Sequence, residues 1–191
     1  MSNELIIPGI TNGNMLVCLS RAKTYGQYCK AVTDALAGRC PFCELDRVHN
    51  VVVIETSGLL VWHCNPPEKH TRLHFIIAPR KHILSTDEFT SDEMVAVWDC
   101  LTALKDTFKF TSCGILIRDG DATLSGGTIP HLHIHVMVPD GTGRVESPFY
   151  KGAVSERESL ARAIIFEKMR QGATFGDLTP DEQVQVQGRL T

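Results

Sequence analysis

The sequence predicts an α+β domain whose five-stranded sheet is largely antiparallel and carries a long helix. The predicted elements run helix, three strands, helix, two strands and a helical tail. Residues 51–55 and 59–63 are apolar or β-branched runs separated by Thr-Ser-Gly, which is the pattern of a hairpin. Because several strand links are too short for the crossover that parallel strands need, neighbouring strands are expected to be antiparallel.

The first helix and the third strand are predicted on either side of this hairpin. Apolar residues recur at helical spacing over residues 24–36, and Gly38 follows as a typical helix stop. A Pro-Pro segment ends the hairpin, and the apolar run 73–78 resumes as a strand.

The long helix is predicted from the segment that begins at Thr90. Thr-Ser-Asp-Glu is helix-start chemistry, because the threonine hydroxyl and the glutamate carboxylate can cap free backbone amides. Apolar residues at helical spacing then extend the helix to about Phe108. Trp98 lies on this apolar stripe and is therefore expected in the core.

The remaining elements complete the sheet and form a tail. Strands are predicted at 115–117 and 131–138, joined by a glycine-rich loop at 118–130. An amphipathic helix is predicted at 155–170, and a further short helix at 180–187.

This order divides the chain into an N-terminal helical extension (1–39), a sheet domain (40–140) and a C-terminal helical tail (141–191). The composition, 43% hydrophobic and 21% charged, is that of a globular chain with a real core. A net charge of −3 argues against extended nucleic-acid binding, although a local pocket for one nucleotide stays open.

Two further features concern the compartment. The first ten residues lack a secretory pattern, and no apolar run approaches the length of a membrane span. Seven cysteines is an odd number for a disulfide framework. We therefore expect a cytoplasmic protein with reduced thiols, some of them free to bind a metal.

The most informative motif is His131-Leu-His133-Ile-His135, in which three imidazoles alternate with apolar side chains. A strand sends successive side chains to opposite faces, so the three histidines share one face and the apolar residues can be buried. Imidazole changes charge near neutral pH and is the commonest metal ligand. The motif therefore predicts a site for phosphate chemistry or metal binding.

A second motif, Cys40-x-x-Cys43, has the spacing of a tetrahedral zinc site that needs two further ligands. His82 and His131 both lie at predicted strand ends, where a loop carrying the cysteines can fold over them. Four protein ligands would close the site, so zinc would be structural there. The alternative, a thioredoxin-type redox pair, requires a preceding strand and a following helix, whereas a helix precedes this motif.

These motifs together resemble the histidine triad (HIT) superfamily, whose signature is His-φ-His-φ-His-φ-φ with φ apolar. The run from His131 to Met137 fits it at every position, and the run from His74 to Ile83 is similar to the strand and turn before the family's long helix. The resemblance extends over about residues 40–140. It implies a HIT-like fold, a homodimer, and zinc on Cys40, Cys43, His82 and His131, as in the zinc-containing branch and the related galactose-1-phosphate uridylyltransferases.

The resemblance also implies a mechanism. His133 would be the nucleophile that attacks the α-phosphorus of a nucleoside phosphate conjugate, giving a nucleotidyl-histidine intermediate that passes to water or another acceptor. His135 would assist the leaving group or donate to a phosphate oxygen. The bond broken would be a phosphoric anhydride, a phosphoramidate or a similar bond, which makes the protein a hydrolase or nucleotidyltransferase.

Substrate contacts are expected from residues where the chain departs from the family pattern. Arg118 stands where members usually have Asn, and it can offer phosphate a bidentate contact. The usual Gly-Gln-Ser run is replaced by Ser125-Gly126-Gly127-Thr128, a variant closer to dinucleoside-polyphosphate phosphorylases. The backbone amides of this run can approach phosphates closely.

Two other functions stay open at this point. The fold can serve as a non-catalytic nucleotide-binding or interaction protein that uses its histidines only to hold phosphate. Alternatively, the triad strand can itself hold a catalytic metal. The other histidines, including His74, are interpreted as surface or core residues, and the other cysteines as small hydrophobic residues.

Overall fold

The computed structural model describes residues 16–147, 149 and 153–190. Its centre is a five-stranded sheet in which every neighbouring pair is antiparallel, and the strand order is β1-β2-β3-β5-β4. The strands are β1 (Val52–Glu55), β2 (Leu59–His63), β3 (Thr71–Pro79), β4 (Gly114–Arg118) and β5 (His133–Pro139). The predicted α+β class with an antiparallel sheet is confirmed.

The helices begin at the capping residues that the sequence offers. The long helices are α1 (Tyr25–Leu36), α2 (Ser91–Phe108) and α4 (Ala153–Arg170), and the shorter ones are α3 (Ala122–Ser125) and α5 (Pro180–Val186). Thr24 accepts the amide of Gln27 at the start of α1. Thr90 and Glu93 form the predicted capping box of α2.

Two boundaries near the histidine motif differ from the expectation. β5 begins at His133 rather than at residue 131, because the amides of the two preceding residues bond to loop carbonyls instead of a neighbouring strand. His131 therefore lies in the loop that enters the strand. The predicted loop at 118–130 also contains a helical turn, α3, in which the Ser125 amide bonds the Asp121 carbonyl at 2.8 Å.

The two faces of the sheet have different covers. One face packs against α2 in a cluster of buried apolar residues that includes Phe75, Leu104 and Val136. The other face carries Trp62, with Phe42 of the Cys-x-x-Cys segment packed against it. The histidines of β5 belong to this second face, which we call the site face.

Trp98 corrects the sequence interpretation, because it is 53% exposed rather than buried. Val97 and Leu101 of the same helix occupy the core, whereas Trp98 lines a surface groove together with Ile115 and Ile117 of the edge strand β4. Helical spacing shows which residues share a face of the helix, but it does not show which of them the sheet covers.

The described segments on either side of the sheet domain pack against each other. We call residues 16–36 and 153–190 the terminal layer. Its core includes Leu19, Tyr28, Val32, Phe166 and Val186. The amide of Cys18 donates to the carbonyl of Thr128 at 2.7 Å, so this layer also holds the loop that precedes the histidine motif.

In the part of the chain that the structure describes, no helix combines the length and apolar character that a membrane crossing requires.

Candidate functional site

Strand register brings the candidate residues together on the site face. Arg118 of β4 lies directly opposite His133, and Ile76 of β3 lies opposite His135. Residues directly opposite in an antiparallel pair point to the same face. His74, two residues from Ile76, therefore joins the row of imidazoles.

At one end of this row, the structure brings together the four predicted zinc ligands. The ligand atoms of Cys40, Cys43, His82 and His131 all lie within 4.8 Å of one another. The Sγ atom of Cys40 is 3.4 Å from Nδ1 of His131, and the Sγ atom of Cys43 is 3.4 Å from Nδ1 of His82. These separations suit sulfur and nitrogen ligands around one tetrahedral zinc ion.

The second nitrogen of His131 supports the same use. Nε2 of His131 donates to the carbonyl of Pro79 at 2.9 Å. In a neutral imidazole this leaves Nδ1 with a lone pair, directed toward the two thiols. Burial of the ring lowers the pKa of His131 to about 4, so the neutral, ligating form is favoured.

His133 occupies the middle of the row and is almost fully buried. Its Nδ1 donates to the carbonyl of His131 at 2.7 Å, which leaves Nε2 as the nitrogen with a free lone pair. Phe42 packs edge-on against the ring, with the centroids 5.1 Å apart. Burial lowers the pKa of His133 to about 4, so the ring is neutral at physiological pH.

His135 is hydrogen-bonded to His74, a residue whose role the sequence interpretation missed. Nε2 of His74 and Nδ1 of His135 are 2.8 Å apart, and Nδ1 of His74 accepts the backbone amide of Glu68 at 3.0 Å. A neutral His74 that accepts at Nδ1 carries its proton on Nε2 and donates it to His135. His135 then carries its own proton on Nε2, where it can serve as a donor.

Burial keeps both rings of this pair neutral. It lowers the pKa of His74 to about 4 and that of His135 to about 2, with the charge of Lys23 lowering both further. Cys64 lies beside the pair, and burial raises the pKa of its thiol to about 12. Cys64 was interpreted as a small hydrophobic residue, and only the β2–β3 register reveals that it is near the histidines.

The glycine-containing run lies beside His133. A Cβ atom added to Gly127 would lie 3.7 Å from Cε1 of His133, and Gly126 has a φ of 73°, which favours glycine. The Ser125 amide is already used inside α3, and the Thr128 carbonyl accepts the Cys18 amide. The run is therefore held in place from both sides, and Ser125 does not offer its amide to a ligand.

Arg118 is buried between this run and the segment after β5. Its guanidinium donates to the carbonyl of Ser125 and, at 2.8 Å, to Oγ of Ser147, and it lies over the ring of Phe149. Its charge lowers the pKa values of His133 and His135. Arg118 therefore contributes positive potential to the site while its donors hold the surrounding loops.

The arrangement has the parts that group transfer at phosphorus needs. His133 offers a neutral ring nitrogen with a lone pair, His135 a protonated nitrogen in a ring oriented by His74, and Arg118 a buried positive charge. The cluster of potential zinc ligands lies at the end of the row away from His135, and His133 is not one of its members.

Comparison with known proteins finds relatives whose names describe hydrolysis of nucleotide compounds. Adenosine 5′-monophosphoramidase HINT3 of Danio rerio is 25% identical over 131 residues, covering 65% of this chain and 76% of that protein. The bifunctional bis(5′-adenosyl)-triphosphatase/adenylylsulfatase FHIT of Arabidopsis thaliana is 27% identical over 115 residues, covering 56% of this chain and 62% of that protein.

Solved structures with similarity include a zinc-bound histidine triad family protein from Mycobacterium smegmatis. It matches with a TM-score of 0.44 and 18% identity, covering 69% of this chain and 96% of that chain. The family model described as the HIT domain matches residues 47–142, which is half of the chain and contains β1 to β5 with the histidine motif. The protein therefore belongs to the HIT family, as its alternating histidines on an antiparallel sheet predict.

Proposed function

We propose that the protein is an enzyme that cleaves a nucleoside phosphate conjugate at the α-phosphate through a nucleotidyl-histidine formed on His133. The observation that carries this proposal is the hydrogen bond from Nδ1 of His133 to the His131 carbonyl. Because that bond uses the ring's proton, Nε2 keeps a lone pair in a neutral, buried imidazole.

The proposed first step forms one bond and breaks one. Nε2 of His133 donates its lone pair to the α-phosphorus, and the bond from phosphorus to the leaving group breaks with its electron pair on the leaving atom. When the leaving atom is nitrogen, the Nε2 proton of His135 goes to it, and His74 holds His135 in the donor tautomer.

The second step transfers the nucleotidyl group to an acceptor. Attack by water breaks the phosphorus–nitrogen bond, restores neutral His133 and releases the nucleoside monophosphate. The proton lost by water returns to Nε2 of His135 when a nitrogen leaving group took that proton, and goes to solvent when the leaving group was a phosphate. Hydrolysis is supported by the names of both relatives, a phosphoramidase and a triphosphatase. A phosphate or another nucleophile in place of water would make the same intermediate serve a transferase.

The experiment is to trap the intermediate. Native protein is mixed with an adenosine 5′-phosphoramidate or bis(5′-adenosyl) triphosphate, quenched within milliseconds, digested and analysed by mass spectrometry. We expect a nucleotidyl mass on the peptide that contains His133, and none with His133→Asn. Asn keeps a donor near the position of Nδ1 but has no nucleophilic nitrogen.

The non-catalytic alternative makes the opposite prediction in the same experiment. A protein that only holds nucleotide would bind both compounds without adduct or turnover, and His133→Asn would affect affinity alone. Near-full turnover by His133→Asn would also remove the mechanism, since the nucleophile would then be another group.

We propose that zinc is held by Cys40, Cys43, His82 and His131 as a structural ion. The donor set fits that ion, because two thiols and two imidazoles converge within 4.8 Å. When bound, zinc would tie the Cys-x-x-Cys segment to the loop that leads into β5 and so fix the segment that carries Phe42 against His133.

We also propose that two copies of the chain associate through β4 and α2. β4 is an edge strand of the described sheet, and beside it lie the exposed apolar side chains of Met94, Trp98, Ile115 and Ile117. Such a patch beside an unpaired edge favours association with a second copy. In sedimentation experiments we expect Trp98→Lys to shift the protein toward monomer, and Val184→Lys, on α5, to have no effect.

The remaining proposals concern organisation and location. We propose that residues 40–140 form the domain that carries the reaction, and that residues 1–39 and 141–191 are helical additions to it. We also propose that the enzyme is cytoplasmic. Its partner would be a small nucleotide rather than an extended nucleic acid. Expression as a fusion with a fluorescent protein tests the location.

A further inference from the structure

Basic side chains reach the site from the terminal layer, outside the residues that match the HIT domain. Arg21 and Lys23 immediately precede α1. Arg21 is nearly buried and forms an ion pair with Glu156 of α4 at 2.9 Å, which ties it to the terminal layer. Lys23 is largely exposed and reaches Glu68, with its Nζ 3.4 Å from Oε1 of that carboxylate.

A short series of contacts connects Lys23 to the reacting groups. The backbone amide of Glu68 donates to Nδ1 of His74 at 3.0 Å, and Nε2 of His74 lies 2.8 Å from Nδ1 of His135. Lys23 therefore lies on the His135 side of the site, connected to that residue through Glu68 and His74. His135 faces the leaving group in the proposed reaction. Its charge lowers the pKa values of His74 and His135, which agrees with this proximity.

We propose that Lys23 binds an anionic leaving group, so that the substrates are nucleotidyl phosphate anhydrides, in which further phosphate is joined to the α-phosphorus through oxygen. This inference rests on the proposed function and specifies its substrate class. It selects between the two kinds of bond named for the relatives, a phosphoramidate and a triphosphate.

The two leaving groups make different demands on the site. When an anhydride is attacked by Nε2 of His133, the phosphorus–oxygen bond breaks and its electron pair stays on a phosphate oxygen, which leaves as an anion without needing a proton. A nearby ammonium group stabilises that growing charge. An amine leaving group instead takes the proton of His135 and departs neutral, so Lys23 stabilises it much less.

The present partner of Lys23 does not prevent this role. An exposed lysine–glutamate pair at 3.4 Å contributes little stability, and a phosphate carrying more negative charge can replace the carboxylate. Glu68 then acts against anion binding. Removing its charge while keeping its backbone amide, as in Glu68→Gln, should strengthen the preference for anhydrides.

The test is the ratio of kcat/KM for bis(5′-adenosyl) triphosphate to kcat/KM for an adenosine 5′-N-alkylphosphoramidate. Using a ratio cancels any contact that both substrates make with the adenylyl group. We expect Lys23→Gln to lower the ratio roughly tenfold, the size of one lost charge-assisted contact, and Glu68→Gln to raise it. Lys30→Gln is the control, because Lys30 lies on α1, is about as exposed as Lys23 and also pairs with a carboxylate, that of Asp34, at 3.3 Å.

A binding measurement separates this inference from the proposed function. By calorimetry, Lys23→Gln should weaken binding of α,β-methylene ADP roughly tenfold and weaken AMP much less. If native protein turns over neither substrate, the proposed function fails while this comparison still decides the role of Lys23. A kcat/KM ratio within twofold of native, or an equal loss of affinity for both nucleotides, overturns the inference.

Discussion

Two clusters of histidine and cysteine lie on the same sheet face, and their similar residues have different hydrogen-bond arrangements. One contains Cys40, Cys43, His82 and His131, and the other contains Cys64, His74 and His135. In each cluster the potential ligand atoms lie within 4.8 Å of one another. Residue type and proximity alone therefore do not distinguish a metal site from a proton-donating pair.

The difference lies in which backbone group bonds the outer ring nitrogen. In the first cluster a carbonyl, that of Pro79, accepts the proton on Nε2 of His131, so the nitrogen facing the thiols has a lone pair. In the second, an amide, that of Glu68, donates to Nδ1 of His74, so the nitrogen facing His135 has a proton. A metal ion needs a ring nitrogen with a lone pair, as in the first cluster. A proton-donating pair needs a ring nitrogen that carries a proton, as in the second cluster.

The largest expected effect comes from removing a ligand of the first cluster. Cys40→Ser should reduce the zinc content of dialysed protein from about one ion per chain to none. It should also lower the thermal midpoint by many degrees, because structural zinc contributes strongly to folding free energy. Zinc content by atomic emission and thermal unfolding by circular dichroism measure the two effects.

The second cluster provides the matched control for this experiment. Cys64→Ser removes the thiol beside the histidine pair and should leave the zinc content unchanged. If Cys64→Ser also lost one equivalent of zinc, the pair would be a metal site, and the proposed distinction between the clusters would be wrong.

The sequence predicted what depends on local spacing. Alternation places His133 and His135 on one side of a strand whatever the rest of the chain does, and the Cys-x-x-Cys spacing presents two thiols to one point. The antiparallel sheet followed from links too short for crossovers. These predictions do not depend on how distant segments of the chain pair with each other.

What the sequence missed depends on register between strands that are far apart in the chain. His74 reaches His135 only because β3 and β5 pair with Ile76 opposite His135, and no local pattern encodes that register. Arg118 similarly donates to Ser147, which lies beyond the next strand. Pairing between strands that are distant in the sequence therefore determines which histidines form hydrogen bonds with each other.

The next largest effect tests the role of His74 as a positioning residue. His74→Ala should lower kcat for the phosphoramidate by about 10- to 100-fold, because His135 loses the bond that keeps its proton on Nε2. KM should change little if His74 does not touch substrate. Steady-state kinetics and native-like circular dichroism distinguish this from a loss of fold.

His63 offers a control on the opposite side of the sheet. It is also partly buried, and burial also lowers its pKa, but its ring packs on Phe75 and Phe108 rather than on the site. His63→Ala should leave kcat within about twofold of native. An equal fall in kcat for both variants would indicate a general loss of packing rather than positioning.

The smallest effect, and the sharpest test of the electrostatics, is the pH dependence of the second cluster. Burial lowers the pKa of His74 to about 4 and that of His135 to about 2, and the nearby charges of Arg118 and Lys23 add to the shift in His135, so both rings remain neutral well below pH 6.5. We therefore expect kcat/KM to change less than about twofold between pH 7.5 and 5.5. Rings with an ordinary pKa of about 6.5 would instead lose roughly tenfold.

Stability should respond to pH even where activity does not. As the pH falls from about 6.5 toward 4, the unfolded chain binds protons on these histidines and the folded chain does not, so the free energy of unfolding decreases. Urea unfolding should show this decrease, and His74→Phe should show a smaller one because it removes a group that is protonated only after unfolding. Activity that falls tenfold while the urea midpoint stays constant would mean that the pair titrates in the folded protein, and that His74 and His135 are exposed to solvent rather than held neutral by burial.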